Sequence, residues 1–97
     1  MGFVQVIRIK TSRFDEAEQA HERWLAATVG RRTATRETLT KDRDADGVYW
    51  MLVEFPDHDA AMQNSALAET GEIAQTLASI ADEPLQFLNL DVLRTDS

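Results

Sequence analysis

The stretch YWMLVEFPDHDAAM, residues 49–62, changes from a strand pattern to a helix pattern within two residues. Residues 48–55 are rich in β-branched and aromatic side chains, which is typical of a strand. Pro56 cannot continue the hydrogen-bonded ladder, and Asp57 can cap a helix that begins at His58. The junction therefore predicts a strand that is followed at once by a helix.

Further strands and helices are predicted on both sides of this junction. Residues 3–10 form a first strand, and a helix over 14–28 follows, capped by Thr11-Ser12 and closed by Gly30. The other predicted segments are a strand over 32–40, a turn over 44–47, a helix over 57–69 that Thr70-Gly71 interrupts, a second apolar helical stripe that ends before Pro84, and a last strand over 85–93.

The order of these segments is β-α-β-β-α-β with the second helix broken. This order predicts an α+β, ferredoxin-like sandwich in which helices cover one face of an antiparallel sheet, as a single domain over residues 1–97. The strand over 48–55 carries bulky apolar residues at both parities, with Trp50 and Leu52 opposed by Met51 and Val53. We therefore expect a second chain to cover the other face of the sheet.

The composition of the chain limits the kinds of molecule that it can be expected to bind. A chain of 97 residues can build only a small core, and association would enlarge it. Its net charge of -7 opposes general binding to nucleic acid or to an anionic membrane surface. The sequence contains no cysteine and no apolar run long enough to span a bilayer, so we expect a cytoplasmic protein without disulfides.

Length, segment order and the junction EFPDHDAA at 54–61 together give the chain a family resemblance. It resembles the dimeric α+β barrel superfamily, and within it the antibiotic biosynthesis monooxygenase-like (ABM) branch. The resemblance implies a homodimer whose two sheets pack face to face, with room for a small ligand between each sheet and its helices. It implies either a cofactor-free oxygenase that acts on a small aromatic or polyketide-like molecule, or a noncatalytic binding or assembly module.

Haem-binding branches of that superfamily carry a histidine near the middle of the second helix. This chain has Gln63-Asn64-Ser65 there, so haem ligation does not transfer, and no cofactor is predicted. The only two histidines, His21 and His58, are too few and too far apart in sequence to suggest a metal site.

Two polar residues interrupt apolar helix stripes and are the candidate catalytic residues. His21 could be a packed core residue, or it could act as a general base that lines a pocket. Asn64 could hydrogen-bond a neighbouring loop or strand, or it could orient a substrate carbonyl or dioxygen. We expect both to point into one cavity if the protein is an enzyme.

Four further residues are candidates for ligand binding. Trp24 and Trp50 could form the walls of an aromatic pocket, although large aromatic residues in a small protein are more often core or interface anchors. Arg8 or Arg36 could hold an anionic group of a ligand. A cavity where these side chains converge would favour ligand binding, and a filled core would favour the assembly module.

Overall fold

The computed structural model describes residues 2–97, which form four strands and three helices. In chain order these are β1 (Phe3–Lys10), α1 (Phe14–Ala27), β2 (Arg36–Lys41), β3 (Val48–Phe55), α2 (His58–Ser65), α3 (Ala68–Ile80) and β4 (Gln86–Asp91). The predicted ferredoxin-like α+β fold is confirmed, with α2 and α3 as the two parts of the broken second helix.

The four strands form one antiparallel sheet in the order β2-β3-β1-β4. Ile7 of β1 lies opposite Met51 of β3 on one side and Phe87 of β4 on the other, while Leu39 of β2 also pairs with Met51. Because side chains alternate along a strand, the odd-numbered residues of all four strands share one face. This is the face that the helices cover.

Two clusters of buried side chains lie between the sheet and the helices. The larger consists of Ile9, Ala17, Met51, Leu77 and Ile80. Phe3, Phe55 and Ala61 form the smaller cluster, where α2 packs. Both clusters use odd-numbered strand residues, so the helix-covered face supplies the core of the single chain.

The junction that follows β3 forms as the sequence predicts. The side chain of Asp57 accepts a hydrogen bond from the backbone N–H of Ala60 at 2.8 Å, which caps α2. This chain turn places α2 immediately over the end of the sheet from which β3 leaves.

The predicted position of the helix break is wrong. The break falls at Ala66-Leu67, where Leu67 is extended with φ -66° and ψ 135°. Gly71 instead lies inside α3. One glycine costs a helix about 1 kcal/mol relative to alanine, and packing of α3 against α1 and the sheet outweighs that cost.

Two other local predictions are also corrected. Thr11 does not cap α1, because its hydroxyl donates to the Ile80 carbonyl at 2.7 Å and accepts from the Arg13 N–H at 3.0 Å. The second strand begins at Arg36 rather than at residue 32, because Thr33 forms hydrogen bonds with α2 instead of with a strand.

None of the helices within residues 2–97 combines the length and the apolar content needed to cross a bilayer.

Candidate functional site

A cavity of about 90 Å³ lies between the sheet and the helices and opens to solvent. Its floor is the helix-covered face of β1, β2 and β3, and its walls come from all three helices. The lining is mostly apolar, and its polar members are Gln5, His21, Trp24, Glu37, Asn64, Ser65 and Thr70. The cavity is thus an apolar space with a small number of polar groups, which is the usual composition of a small-molecule site.

Trp24 and His21 of α1 form one wall of the cavity. The Trp24 side chain is buried, and its Nε1–H donates to the Thr70 hydroxyl of α3 at 3.0 Å. The His21 ring lies nearly parallel to the Trp24 ring, with 5.9 Å between centroids and 21° between planes. The Arg32 guanidinium lies over the Trp24 indole, 5.8 Å from the ring centroid. These contacts fix the indole as a flat, oriented wall.

Asn64 of α2 is buried and lines the same cavity. Its Oδ1 accepts a hydrogen bond from the Thr33 N–H at 3.3 Å, while the Thr33 hydroxyl donates to the Ala60 carbonyl. The amide therefore ties the loop before β2 to α2. The structure brings His21, Trp24 and Asn64 to one cavity, and it also gives Asn64 a structural hydrogen bond.

Trp50, Arg8 and Arg36 do not line this cavity. All three are even-numbered strand residues, and alternation places them on the opposite face of the sheet. The Trp50 Nε1–H donates to Asp42 Oδ2 at 2.9 Å, and the two arginines pair with Glu83 and Glu54. The expectation that Trp50 would form a wall beside Trp24, and that an arginine would hold an anion there, is therefore corrected.

The same pairs shift the pKa of two carboxyl groups, half-buried Asp42 and exposed Glu83. The indole hydrogen bond from Trp50 lowers the pKa of Asp42, with a further contribution from the Asp44 backbone N–H. Arg8 lowers the pKa of Glu83, mainly through its hydrogen bond. Both perturbed groups stabilise local structure outside the cavity.

Four polar residues of the cavity lining were not among the predicted site residues: Gln5, Ser65, Thr70 and Glu37, of which Glu37 is the one carboxyl group. The sequence predicts a strand over 32–40, but it does not show which of its two faces the helices cover. The signal was present in the alternation, since Glu37 shares its parity with Leu39, which packs against the core. Only the register with β3 shows that this parity faces the helices.

The polar groups of the cavity do not form a recognisable metal or haem site. Within residues 2–97, no group of three or more His, Cys, Asp or Glu side chains could hold a metal ion. The cavity is far smaller than a haem, and α2 presents Asn64 and Ser65 to it.

No protein-family model and no curated protein matches the sequence, whereas solved structures match the fold over nearly the whole chain. SnoaB from Streptomyces nogalater, a cofactor-independent oxygenase, is 22% identical, with a TM-score of 0.79 over 97% of this chain and 95% of that one. A candidate antibiotic biosynthesis monooxygenase from Caulobacter crescentus CB15 is 16% identical, with a TM-score of 0.81 over 96% and 91%.

A further candidate of the same type, from Nitrosomonas europaea, is 12% identical, with a TM-score of 0.77 over 95% of this chain and 90% of that one. The chain thus has the fold of ABM-like proteins, as the resemblance implied. At these identities the similarity establishes the fold alone, because one fold can carry many activities.

Proposed function

We propose that the protein binds a small aromatic or polyketide-like molecule in the cavity and acts on it as a cofactor-independent monooxygenase. The observation that carries this proposal is the convergence of His21, Trp24 and Asn64 on one apolar cavity. The fold shared with SnoaB, a cofactor-independent oxygenase, supports it. The cavity of about 90 Å³ is smaller than the roughly 150 Å³ cavity that is known to bind benzene, so a single-ring ligand would be only partly enclosed and would extend through the opening to solvent.

Each of the three residues has a role that suits such chemistry. Trp24 offers a flat face for stacking, His21 can accept a proton from the substrate, and the Asn64 amide can orient a carbonyl or dioxygen. Without a cofactor, the substrate must supply the electrons. A CH₂ group activated by a phenolate becomes C=O, one oxygen atom of O₂ enters the product, and the other leaves as water with both hydrogens.

The second candidate function is a noncatalytic binding or assembly module. The hydrogen bond between Asn64 and Thr33 favours it, because that bond gives the buried amide a purely structural use. In this alternative the cavity binds a ligand, or remains empty, without turnover.

In either case we propose a homodimer formed through the open face of the sheet. That face carries Val4, Val6, Trp50, Leu52, Leu88 and Leu90. Arg36 and Glu54 stand at its edge, 3.7 Å apart, so the same surface presents both charges. A two-fold axis could therefore pair each with its opposite on a second copy.

A thermal-shift screen with single-ring phenols and quinones tests ligand binding in the cavity. We expect ligands that stabilise the wild type, and smaller shifts for His21→Ala and Asn64→Ala, because a ligand that binds only the folded state raises stability by mass action. Glu72→Ala, on the exposed side of α3, is the matched control. Shifts that neither cavity substitution changes would remove both residues from the site.

Oxygen uptake in the presence of the stabilising phenols separates the two functions. The monooxygenase predicts uptake by the wild type, one O₂ for each product carbonyl, and its loss in His21→Ala. Ligand binding without uptake would leave the noncatalytic module as the better account.

A further inference from the structure

Glu37 places a carboxyl group against the cavity from the sheet side. It is half-buried on β2, opposite Val53 of β3, and its neighbours in the strand, Arg36 and Thr38, face the other side of the sheet. The apolar side chains of Leu39, Met51 and Val53 line the cavity beside it. Glutamate is seldom found among apolar side chains such as those that form the floor of this cavity.

The hydrogen-bonding capacity of this carboxyl group is unused within residues 2–97. Its Oε1 is shielded from solvent and has no hydrogen-bond partner. Glu69 is the other residue with a shielded, unpaired carboxyl oxygen, but there Arg31 holds the second oxygen. Buried polar atoms are nearly always paired, and an unpaired one lowers stability. Glu37 therefore carries a cost that a partner from outside the chain would relieve.

The charge of the cavity lining limits what that partner can be. Among residues 2–97, no arginine or lysine lines the cavity, and the two arginines of the neighbouring strands, Arg8 and Arg36, lie on the opposite face and pair with Glu83 and Glu54. A carboxyl group accepts hydrogen bonds and, when ionised, repels an anion. An aromatic carboxylate would thus meet an acid with no arginine or lysine of the lining to balance it, whereas a neutral hydroxyl would find an acceptor.

We propose that Glu37 accepts a hydrogen bond from the hydroxyl group of a phenolic ligand, so that the cavity selects neutral single-ring phenols over aromatic carboxylates. The inference rests on the proposed function, in that it takes the cavity as the ligand site. It adds the orientation of the ligand: the hydroxyl points to β2, and the ring lies between the sheet and the Trp24 wall. Glu37 is then a ligand-binding residue that determines specificity.

The test uses 4-methylphenol and 4-methylbenzoate, which differ only in the polar group. Each is titrated into ¹⁵N-labelled protein while the two indole N–H signals are followed, since the chain has two tryptophans, Trp24 at the cavity and Trp50 on the other face. We expect 4-methylphenol to shift the Trp24 signal and leave the Trp50 signal in place. We expect 4-methylbenzoate to bind at least tenfold more weakly.

Two substitutions of Glu37 and one control complete the design. Glu37→Leu removes the acceptor and should weaken 4-methylphenol binding by about tenfold, the value of one hydrogen bond to a charged group. Glu37→Gln removes the charge and should narrow the difference between the two ligands. Glu54→Gln, a carboxyl group of β3 on the opposite face, should change neither affinity.

Folding of the variants is checked by thermal unfolding without ligand. Glu37→Leu should melt at or above the wild-type temperature, because it removes an unpaired carboxyl group from an apolar site. If that variant fails to fold, Glu37→Gln carries the test, and an unchanged preference between the two ligands in Glu37→Gln overturns the inference.

The outcomes separate this inference from the proposed function. If neither compound shifts the Trp24 signal of the wild type, the cavity is not a ligand site and both fail. If 4-methylphenol binds the Glu37→Leu variant as tightly as the wild type, or 4-methylbenzoate binds the wild type equally well, the role of Glu37 is overturned while the cavity remains a ligand site.

Discussion

The two faces of the sheet are built from the same four strands, yet the helices cover one face and leave the other open. On the helix-covered face Ile9 and Met51 are 0% and 6% exposed. On the open face Leu88 and Leu90 remain 48% and 47% exposed, and Trp50 is half-buried. The helix-covered face buries its central residues, although Phe87 at its β4 edge is 48% exposed, whereas no element within residues 2–97 covers the open face. Exposed apolar surface of this kind is typical of interaction sites, and the homodimer proposed above would cover it.

The two faces also divide the candidate residues. His21, Trp24, Glu37 and Asn64 gather on the helix-covered face, around the cavity. Arg8, Arg36 and Trp50 lie on the open face, where they make pairs at the surface. Chemistry is therefore expected on one side of the sheet and assembly on the other, and substitutions can address each side separately.

The largest effect is expected from Trp50→Asp on the open face. If a second copy covers this face, the substitution buries an unpaired charge, which costs several kcal/mol, and the dimer should dissociate or unfold. Light scattering after size exclusion should show a wild-type mass of about 22 kDa, twice the 10.9 kDa of one chain, and about half that value for any folded variant.

Gln75→Asp, on the exposed side of α3, is the control for this substitution and should keep the wild-type mass. A wild type that is monomeric at physiological salt would contradict the dimer. A variant that stays dimeric would show that the open face is not the interface.

A smaller effect is expected from Trp24→Ala on the helix-covered face. The buried indole fills the space between α1 and α3, and its removal should lower the free energy of unfolding by about 3–5 kcal/mol without changing the oligomeric state. Thr70→Val removes only the hydrogen bond to the indole and should cost about 1 kcal/mol. Denaturant titration measures both, and equal losses would mean that Trp24 contributes little beyond that bond.

The smallest effect is expected from a change in pH, and it concerns the hydrogen bond between Trp50 and Asp42 at the edge of the open face. Because the hydrogen bond from Trp50 lowers the pKa of Asp42, the ionised carboxylate stabilises the fold above the ordinary aspartate pKa, and this contribution is lost as pH falls through the lowered value. The Trp50 indole N–H signal should therefore titrate below about pH 4, the ordinary aspartate range.

Asp42→Asn keeps an acceptor for the Trp50 indole but cannot titrate, so the step should disappear. The Trp24 indole donates to an uncharged hydroxyl and serves as the internal reference. A Trp50 step that persists in Asp42→Asn would assign the titration to another group.

The sequence by itself determined the elements and their order. Strands over Phe3–Lys10 and Val48–Phe55 and the cap at Asp57 follow from local rules, in which β-branched alternation, a proline and a capping side chain act within a few residues. The helix stripes likewise placed His21, Trp24 and Asn64 on inward faces, and the structure brings all three to one cavity.

What the tertiary structure decided depends on contacts between distant residues. The break at Leu67, the start of β2 at Arg36 and the hydroxyl of Thr11 are set by packing and hydrogen bonds across the fold, which outweigh local propensity. Sheet register alone separates Trp50 from the cavity and brings Glu37 into it. A strand presents its residues to two faces with equal ease, and only its neighbours determine which face the helices cover.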